Sequence, residues 1–140
     1  SRIDFETYTK NLMNIISSSY HYEEKDIEVE LDIDHIQMNV NQGIPCGLIL
    51  NELVSNSYEH AFKGRNEGRI KVSLKQEEEY IEMEVSDDGI GFPREFDIRQ
   101  SKSLGMTLVH TLTHQLSGEL KQSNRVGTTF SVVFKAAEEE

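Results

Sequence analysis

Several features that mark common functional classes are missing from this chain of 140 residues. It has 14 basic against 25 acidic side chains and a formal net charge of −11, so it lacks the positive surface that binds nucleic acid or anionic lipid. No apolar run approaches the length of a membrane span or of a signal peptide's core. The single cysteine, Cys46, excludes an internal disulfide and fits a reducing compartment. We therefore expect a cytoplasmic domain without direct contact to nucleic acid or membrane.

The familiar glycine-rich phosphate motifs are missing as well. The chain has no GxxxxGK[ST] loop and no GxGxxG after its first predicted strand, which removes the two best-known phosphate cradles. It also has no internal repeat, linker or low-complexity segment. A hydrophobic content of 36% over 140 residues is typical of one globular domain with a core of ordinary size.

The spacing of apolar residues predicts three helices. The first covers Asp4–Ser19 and the second covers Gly43–Lys63, with Pro45 in its first turn, where a missing N–H costs nothing. The third begins after Ser103, a residue type that caps helix N-termini, and it ends at Gly118. Each helix has an apolar side, so each is expected to pack on a common core.

Alternation of apolar and polar residues predicts six strands in three hairpins. Residues 27–33 are expected to pair with 36–40, residues 70–74 with 81–85, and Glu119–Ser123 with Thr128–Phe134. The predicted fold class is α+β, with two layers: a mixed, mostly antiparallel sheet covered on one face by the three helices.

One side of the second predicted helix has an unusual composition. An ordinary solvated helix face would include lysine and arginine, whereas this stripe has none before Lys63 and consists of Asn51, Glu52, Ser55, Asn56, Glu59 and His60. Oxygen-bearing side chains of this kind can share Mg²⁺ with phosphates and waters. Considered alone, the stripe fits a solvated polar face equally well.

A second candidate feature is the stretch Val85–Pro93, which leaves a predicted strand and turns through Gly89 and Gly91. Asp87, at the end of that strand, can accept a hydrogen bond from the amine of a nucleobase, although Asp-Asp-Gly is also a common tight turn. The N-terminus of the third helix offers free N–H groups and the positive end of a dipole, which suit a phosphate. Together with the oxygen-rich stripe, these parts form a coherent ATP site.

Four segments resemble the conserved boxes of the GHKL ATPases, the superfamily that joins histidine kinases with gyrase-type, heat-shock-chaperone and mismatch-repair ATPases. The resemblance covers about residues 8–134, in the correct order and spacing, and is closest to sensor histidine kinases whose N box reads Asn-Glu-Leu. The matching segments are Asn51–Asn56, Asp87–Gly91, Ser103–Met106 and Gly127–Thr129. The resemblance makes residues 1–140 a single ATP-binding kinase domain with a lid at 92–102 and an acidic tail at 136–140.

The resemblance implies a role for each matching residue around the base and the metal. Asp87 binds the adenine amine, and Gly89 and Gly91 let the base and ribose lie close to the backbone. Asn56 is the implied Mg²⁺ ligand. Thr128 supports the adenine pocket. His60 packs along the nucleotide.

Further implied roles concern the phosphates and the chemistry. Glu52, one helical turn before the implied metal ligand, orients or deprotonates the attacking group. Lys102 is the cation of the lid. The residues that meet the phosphates are Ser103, Leu104, Gly105 and Met106. Catalysis would then consist mostly of positioning and charge neutralisation, as is usual for phosphoryl transfer.

Two departures from the family pattern stand out. Glu59 occupies the place where relatives usually carry a lysine that reaches the phosphates, and its charge predicts weakened nucleotide affinity. In addition, none of the five histidines lies in the context of a phospho-acceptor, which this subgroup carries on an upstream dimerising helix pair. His110 and His114 are four residues apart on one helix, but without a third ligand they are expected to be ordinary packing or surface residues.

The resemblance therefore implies the ATP-binding catalytic domain of a two-component sensor histidine kinase. Its cofactors are ATP and Mg²⁺, its partners are a separate helical dimerisation domain that carries the acceptor histidine and a downstream response regulator, and ADP is its product. One alternative is a serine/threonine kinase of the same fold that acts on a small regulatory protein. Another is a degenerate, non-catalytic nucleotide-binding or interaction module, which Glu59 would favour.

Overall fold

A computed structural model describes residues 1–21, 24–91, 103–124 and 126–138 of the protein. Each of its three long helices is followed by two strands. A short π-helical turn, Ser57–Ala61, directly continues the second helix. The elements are β1 (Arg2–Asp4), α1 (Phe5–Ser19), β2 (Asp26–Ile33), β3 (Gln37–Asn39), α2 (Val40–Asn56), β4 (Glu67–Glu77), β5 (Tyr80–Asp87), α3 (Leu104–Gln115), β6 (Glu119–Ser123) and β7 (Thr128–Lys135).

The main sheet has five strands in the order β2–β4–β5–β7–β6. β2 and β4 are parallel, and the other three neighbouring pairs are antiparallel. This arrangement confirms the predicted α+β class with a mixed, mostly antiparallel sheet. The two hairpins predicted in the second half of the chain are also confirmed, because each pairs consecutive strands across a short connection.

The first predicted hairpin is wrong. β2 pairs with β4 in parallel, and β3 pairs with β1 in a separate two-stranded sheet. Alternation reports that a strand is buried on one face, but it carries no information about which strand lies beside it. The parallel pairing of β2 and β4 requires a long crossover, and α2 lies within that crossover.

The starts of α1 and α3 follow the prediction, and the start of α2 does not. Asp4 caps α1 by accepting from the Thr7 N–H at 3.3 Å, and Ser103 caps α3 by accepting from the Met106 N–H at 3.2 Å. α2 begins at Val40, three residues before the predicted start, because the Asn39 side chain accepts from the Asn41 N–H at 2.8 Å and supplies an earlier cap.

The core lies between the helices and the sheet, and its apolar side chains come from every helix and from the central strands. Cys46 is fully buried there, and burial raises the pKa of its thiol, so it is a structural residue. In the described ranges, no helix is both long enough and apolar enough to cross a membrane.

Candidate functional site

A cleft opens where the π-helical turn, the end of β5 and the start of β7 meet. These elements meet there because β5 and β7 are neighbours in the sheet, with Asp87 paired to Thr128 in register. The cleft is lined by Asn56, Ser57, His60, Ala61, Asp87, Gly91, Thr128 and Phe130. Five of the residues predicted from the sequence are therefore brought together: Asn56, His60, Asp87, Gly91 and Thr128.

Asp87 is the most constrained group of the cleft. Asp87 is only 9% exposed. Its carboxylate accepts two hydrogen bonds, one from the Ser57 hydroxyl to Oδ2 at 3.0 Å and one from the Gly89 N–H to Oδ1 at 3.0 Å. Burial raises the pKa of Asp87, and the hydrogen bonds from Gly89, Ser57 and the Thr128 backbone oppose that rise. The site therefore keeps an acceptor group in surroundings that disfavour its charge.

The turn after Asp87 is fixed from two sides. The side chain of Asp88 accepts from the Arg69 N–H at 2.8 Å, and its carbonyl accepts from the Arg65 guanidinium at 2.7 Å. On the other side, the Ile90 N–H donates to the carbonyl of Ala61 at 2.8 Å. These bonds attach the end of β5 to β4 and to the π-helical turn, so Asp87 is presented by a rigid scaffold.

Glycine is required at position 89 because the turn after β5 lies close to Ala61 there. A Cβ at this position would collide with the Ala61 carbonyl oxygen and would lie 2.6 Å from the Ala61 Cβ. Glycine therefore allows the β5 turn to pack against the end of the second helix. The implied role of Gly89 toward base and ribose remains a prediction.

Only part of the predicted polar stripe of the second helix lines the cleft. Asn56 and His60 line the cleft, whereas Asn51, Glu52, Ser55 and Glu59 do not belong to its lining. A π-helical turn bonds residue i to residue i+5 and shifts the side chains that follow it around the axis. The prediction of one regular α-helix through Lys63 is therefore wrong, since its last turns have a different geometry.

Glu59 is turned toward α1. Its Oε1 accepts from the Tyr20 hydroxyl at 2.8 Å, and its Oε2 lies 3.8 Å from the Nε2 of His60. The predicted effect of Glu59 on nucleotide affinity thus depends on a contact that the sequence pattern did not reveal.

Glu52 lies against the first turn of α3. A Cβ on Gly105 would be 2.6 Å from Glu52 Oε2, so a larger residue at this place would require the Glu52 carboxylate to move. Ser103 caps the helix, and the Met106 N–H is used by that cap. Leu104 is 86% exposed, and the side chain of Met106 is buried in the core. The predicted phosphate contacts of this segment therefore concern backbone groups of the first turn.

Two predicted parts of the site lie outside the described residues. These are the lid at 92–102 and, within it, Lys102. Their roles remain predictions from the sequence.

Ser57, Ala61 and Phe130 line the cleft without having been predicted as site residues. From its spacing, Ser57 belongs to the core-facing side of the second predicted helix, and Phe130 lies within the predicted strand Thr128–Phe134. Ser57 could have been identified as a site residue from the sequence, because it is a serine among apolar core-facing residues directly after Asn56, and a buried hydroxyl needs a hydrogen-bond partner. That partner, Asp87, is 30 residues away in the chain.

One group of potential metal ligands lies in the described ranges, and it is at the start of α1. Ligand atoms of Asp4, Glu6 and His35 are within 4.8 Å of one another. All three side chains have protein partners: Asp4 caps the helix, while Glu6 is bonded to Lys10 and to His35. A magnesium ion at the cleft would instead be held by an amide oxygen such as that of Asn56 together with phosphates and waters, a donor set that Mg²⁺ accepts.

Comparison with protein families gives one match, which covers residues 41–138. The matching family is the histidine kinase-, DNA gyrase B-, and HSP90-like ATPase family. The match includes every element that forms the cleft.

Two relatives are similar in sequence over parts of the chain. The sensor histidine kinase PdtaS of Mycobacterium tuberculosis is 36% identical over 75 residues, which are 52% of this chain and 15% of that protein. The serine-protein kinase RsbW of Listeria monocytogenes is 40% identical over 48 residues, 34% of this chain and 31% of that protein. The chain thus spans a small part of the relatives it matches.

A solved structure shares the fold along nearly the whole chain. The histidine kinase domain of the blue-light activated histidine kinase EL346 from Erythrobacter litoralis superposes with a TM-score of 0.88 at 24% identity, covering 96% of this chain and 62% of that one. At this identity the likeness establishes the fold alone. Of the two relatives in sequence, one is named as a histidine kinase and the other as a serine kinase.

Proposed function

The chain belongs to the histidine kinase-, DNA gyrase B-, and HSP90-like ATPase family, and from that premise we propose that it binds ATP with Mg²⁺ and is the catalytic domain of a sensor histidine kinase. In the full protein it would transfer the γ-phosphate to a histidine on a separate helical dimerisation domain. A response regulator would receive the phosphate next. We place this activity in the cytoplasm, where ATP is available.

The observation that carries the proposal is the buried Asp87 carboxylate within the cleft. A carboxylate has about four lone-pair positions, and Ser57, Gly89 and the backbone of Thr128 account for three bonds to it. The remaining capacity suits an amine such as the exocyclic amine of adenine. Phe130 adds an apolar surface to the cleft for the base.

The phosphate end of the nucleotide is proposed to extend along α2 toward the start of α3. Asn56 would hold Mg²⁺, and the ion when bound would neutralise phosphate charge. Glu52 is one helical turn before Asn56 and beside Gly105, which suits a residue that orients the attacking group. His60 lines the same cleft and is proposed to pack along the nucleotide.

An exposed apolar patch is the proposed contact with the helical acceptor domain. It consists of Tyr8, Ile15, Ile44 and Leu48, which are 39–66% exposed. Tyr8 lies on Gly47, between the two α2 residues of the patch, since a Cβ there would be 2.5 Å from the Tyr8 hydroxyl. The patch thus crosses from α1 to α2, and apolar helix surfaces of this kind commonly dock against other helices.

We expect the affinity for ADP to depend on Mg²⁺ through Asn56. Calorimetric titration with ADP in Mg²⁺ and in EDTA should show at least about tenfold tighter binding with the metal. Asn56→Ala should remove that difference and leave metal-free binding nearly unchanged. Asn51→Ala, on the same helix but outside the cleft lining, is the control. A full metal effect in Asn56→Ala would reject Asn56 as the ligand.

Ser57→Ala should weaken ADP binding by about five- to tenfold, because Asp87 loses a donor worth about 1–1.5 kcal/mol. The fold should be retained, since alanine is at least as favourable as serine in a helix. ADP affinity and thermal unfolding would be measured for Ser57→Ala and for Ser55→Ala. The second variant changes a serine outside the cleft lining and is the matched control. Equal losses in the two variants would show that the Ser57–Asp87 bond has no special role.

Phosphoryl transfer separates the proposed histidine kinase from the alternatives. The full-length protein would be incubated with γ-labelled ATP, and the label would be tested for loss in acid, since phosphohistidine is acid-labile and phosphoserine is acid-stable. Acid-labile label that disappears in Ile15→Glu and Leu48→Glu, with ADP binding retained, supports docking through the patch. Acid-stable label on a small regulatory protein would instead favour a serine kinase, the activity named for the Listeria relative. Failure to bind nucleotide would favour the non-catalytic module.

A further inference from the structure

Glu59 creates an electrostatic problem for the proposed ATP site. It directly precedes His60, which lines the cleft, and it follows Asn56 by three residues. The chain already carries a net charge of −11, and each phosphate of a nucleotide adds negative charge. A carboxylate free to reach the mouth of the cleft would therefore repel the ligand, and the repulsion would increase with the number of phosphates.

The structure directs this carboxylate elsewhere. The Tyr20 hydroxyl donates to Glu59 Oε1 at 2.8 Å. Glu59 has a half-exposed side chain, and its Oε2 lies 3.8 Å from His60 Nε2. One oxygen is thus bound on the α1 side by Tyr20, and the other faces His60, which lines the cleft.

Tyr20 is itself held in place by contacts from two elements. Its ring is stacked on that of Tyr58, with centroids 4.6 Å apart and planes 2° from parallel. The Tyr58 hydroxyl donates to Ser17 Oγ at 3.1 Å, and the Tyr20 N–H donates to the Ser17 carbonyl at 3.2 Å. A side chain with this support presents its hydroxyl in one direction, so it can hold a partner at little entropic cost.

We propose that Tyr20 is a positioning residue that keeps the Glu59 carboxylate off the nucleotide cleft and thereby permits the binding of di- and triphosphates. This inference rests on the proposed function, since it concerns the affinity for a phosphorylated ligand. It also connects α1 to the π-helical turn that carries Asn56, Ser57 and His60, through contacts made by Tyr20 and Tyr58.

The test is the variant Tyr20→Phe, which keeps the ring stack and removes only the hydroxyl. Dissociation constants would be measured by calorimetry for adenosine, ADP and a non-hydrolysable ATP analogue, at constant Mg²⁺ and low salt. We expect about tenfold weaker binding of the ATP analogue, a smaller loss for ADP and none for adenosine. The loss should shrink at high salt, where exposed charges are screened.

A second variant removes the charge that Tyr20 is proposed to control. Glu59→Gln in the Tyr20→Phe background should restore binding of the ATP analogue to within about twofold of the parent protein, because the glutamine has no charge to repel phosphates. Tyr80→Phe, a half-exposed tyrosine at the start of β5, is the control for loss of a tyrosine hydroxyl and should change nothing.

The outcomes separate this inference from the proposed function. Equal weakening for adenosine and the ATP analogue, or no rescue by Glu59→Gln, would show that Tyr20 only supports the local structure and would overturn the inference. Unchanged binding in Tyr20→Phe would overturn it as well, with the proposed function intact. Absence of nucleotide binding by the parent protein would overturn both.

Discussion

Asp87→Asn is expected to weaken adenine nucleotide binding severely while the protein remains folded. Asparagine fits the same space, and its oxygen can still accept from the Gly89 N–H. Its amide nitrogen, however, places a donor where the proposed ligand also offers a donor. Because a buried site that loses its matching acceptor discriminates strongly, we expect ADP to bind on the order of a hundredfold more weakly, as measured by calorimetric titration.

The same substitution is expected to raise stability at neutral pH. Burial raises the pKa of Asp87 in the folded protein, so between the ordinary carboxyl pKa of about 3.9 and the raised value the folded state binds more protons than the unfolded state. Stability is therefore lost as the pH rises through this window. Asp87→Asn removes this loss, so its melting temperature should equal or exceed that of the parent at pH 7, with the gain fading toward pH 3.

Asp32→Asn is the matched control, because it makes the same chemical change on an exposed residue. Lys75 donates a hydrogen bond to Asp32 and lowers its pKa, so its contribution has the opposite sign: stability is present above the ordinary carboxyl pKa and is lost as the pH falls. This control should bind ADP normally. An Asp87→Asn variant that binds ADP normally would reject the adenine site, and one that unfolds at pH 7 would show that the charge supports the fold.

Gly127→Ala is expected to be strongly destabilising and to disrupt the cleft. Gly127 has φ +65°, and a Cβ there would collide with the Asp87 carbonyl oxygen and would lie 3.0 Å from Asp87 Oδ1. The strain of the left-handed conformation and the forced shift of the β5–β7 pair together are expected to lower the unfolding free energy by about 3 kcal/mol or more. Urea denaturation measures this loss, and titration should show weakened ADP binding.

Gly64→Ala separates backbone strain from the collision. Gly64 has a similar φ of +77°, but among the described residues no heavy atom beyond its chain neighbours lies within 4 Å of the position of its Cβ. Only the conformational term remains, so the expected loss is about 1 kcal/mol with normal ADP binding. If the two variants lose equal stability, the close approach of Gly127 to Asp87 is not a constraint on the site.

The sequence by itself determined the secondary structure class, the approximate position of most elements and most of the polar residues that line the cleft. These properties are local: helix caps at Asp4 and Ser103, period-two alternation in β4 and β5, and a turn directly after Asp87 each depend on neighbouring residues. The order and spacing of the four boxes added the family, which the match over residues 41–138 confirms.

Only the tertiary structure decided the partners of β2 and β3 and which residues of the polar stripe face the cleft. β2 lies parallel to β4, and the residues of their first register pair, Asp26 and Glu67, are 41 positions apart in the chain. No local pattern specifies such a partner. The π-helical turn placed His60 in the cleft and Glu59 against Tyr20, which is 39 residues away in the chain. Ser57 likewise donates a hydrogen bond to Asp87, 30 residues away in the chain. The hydrogen-bond partners of buried groups are set by packing between elements and not by sequence spacing.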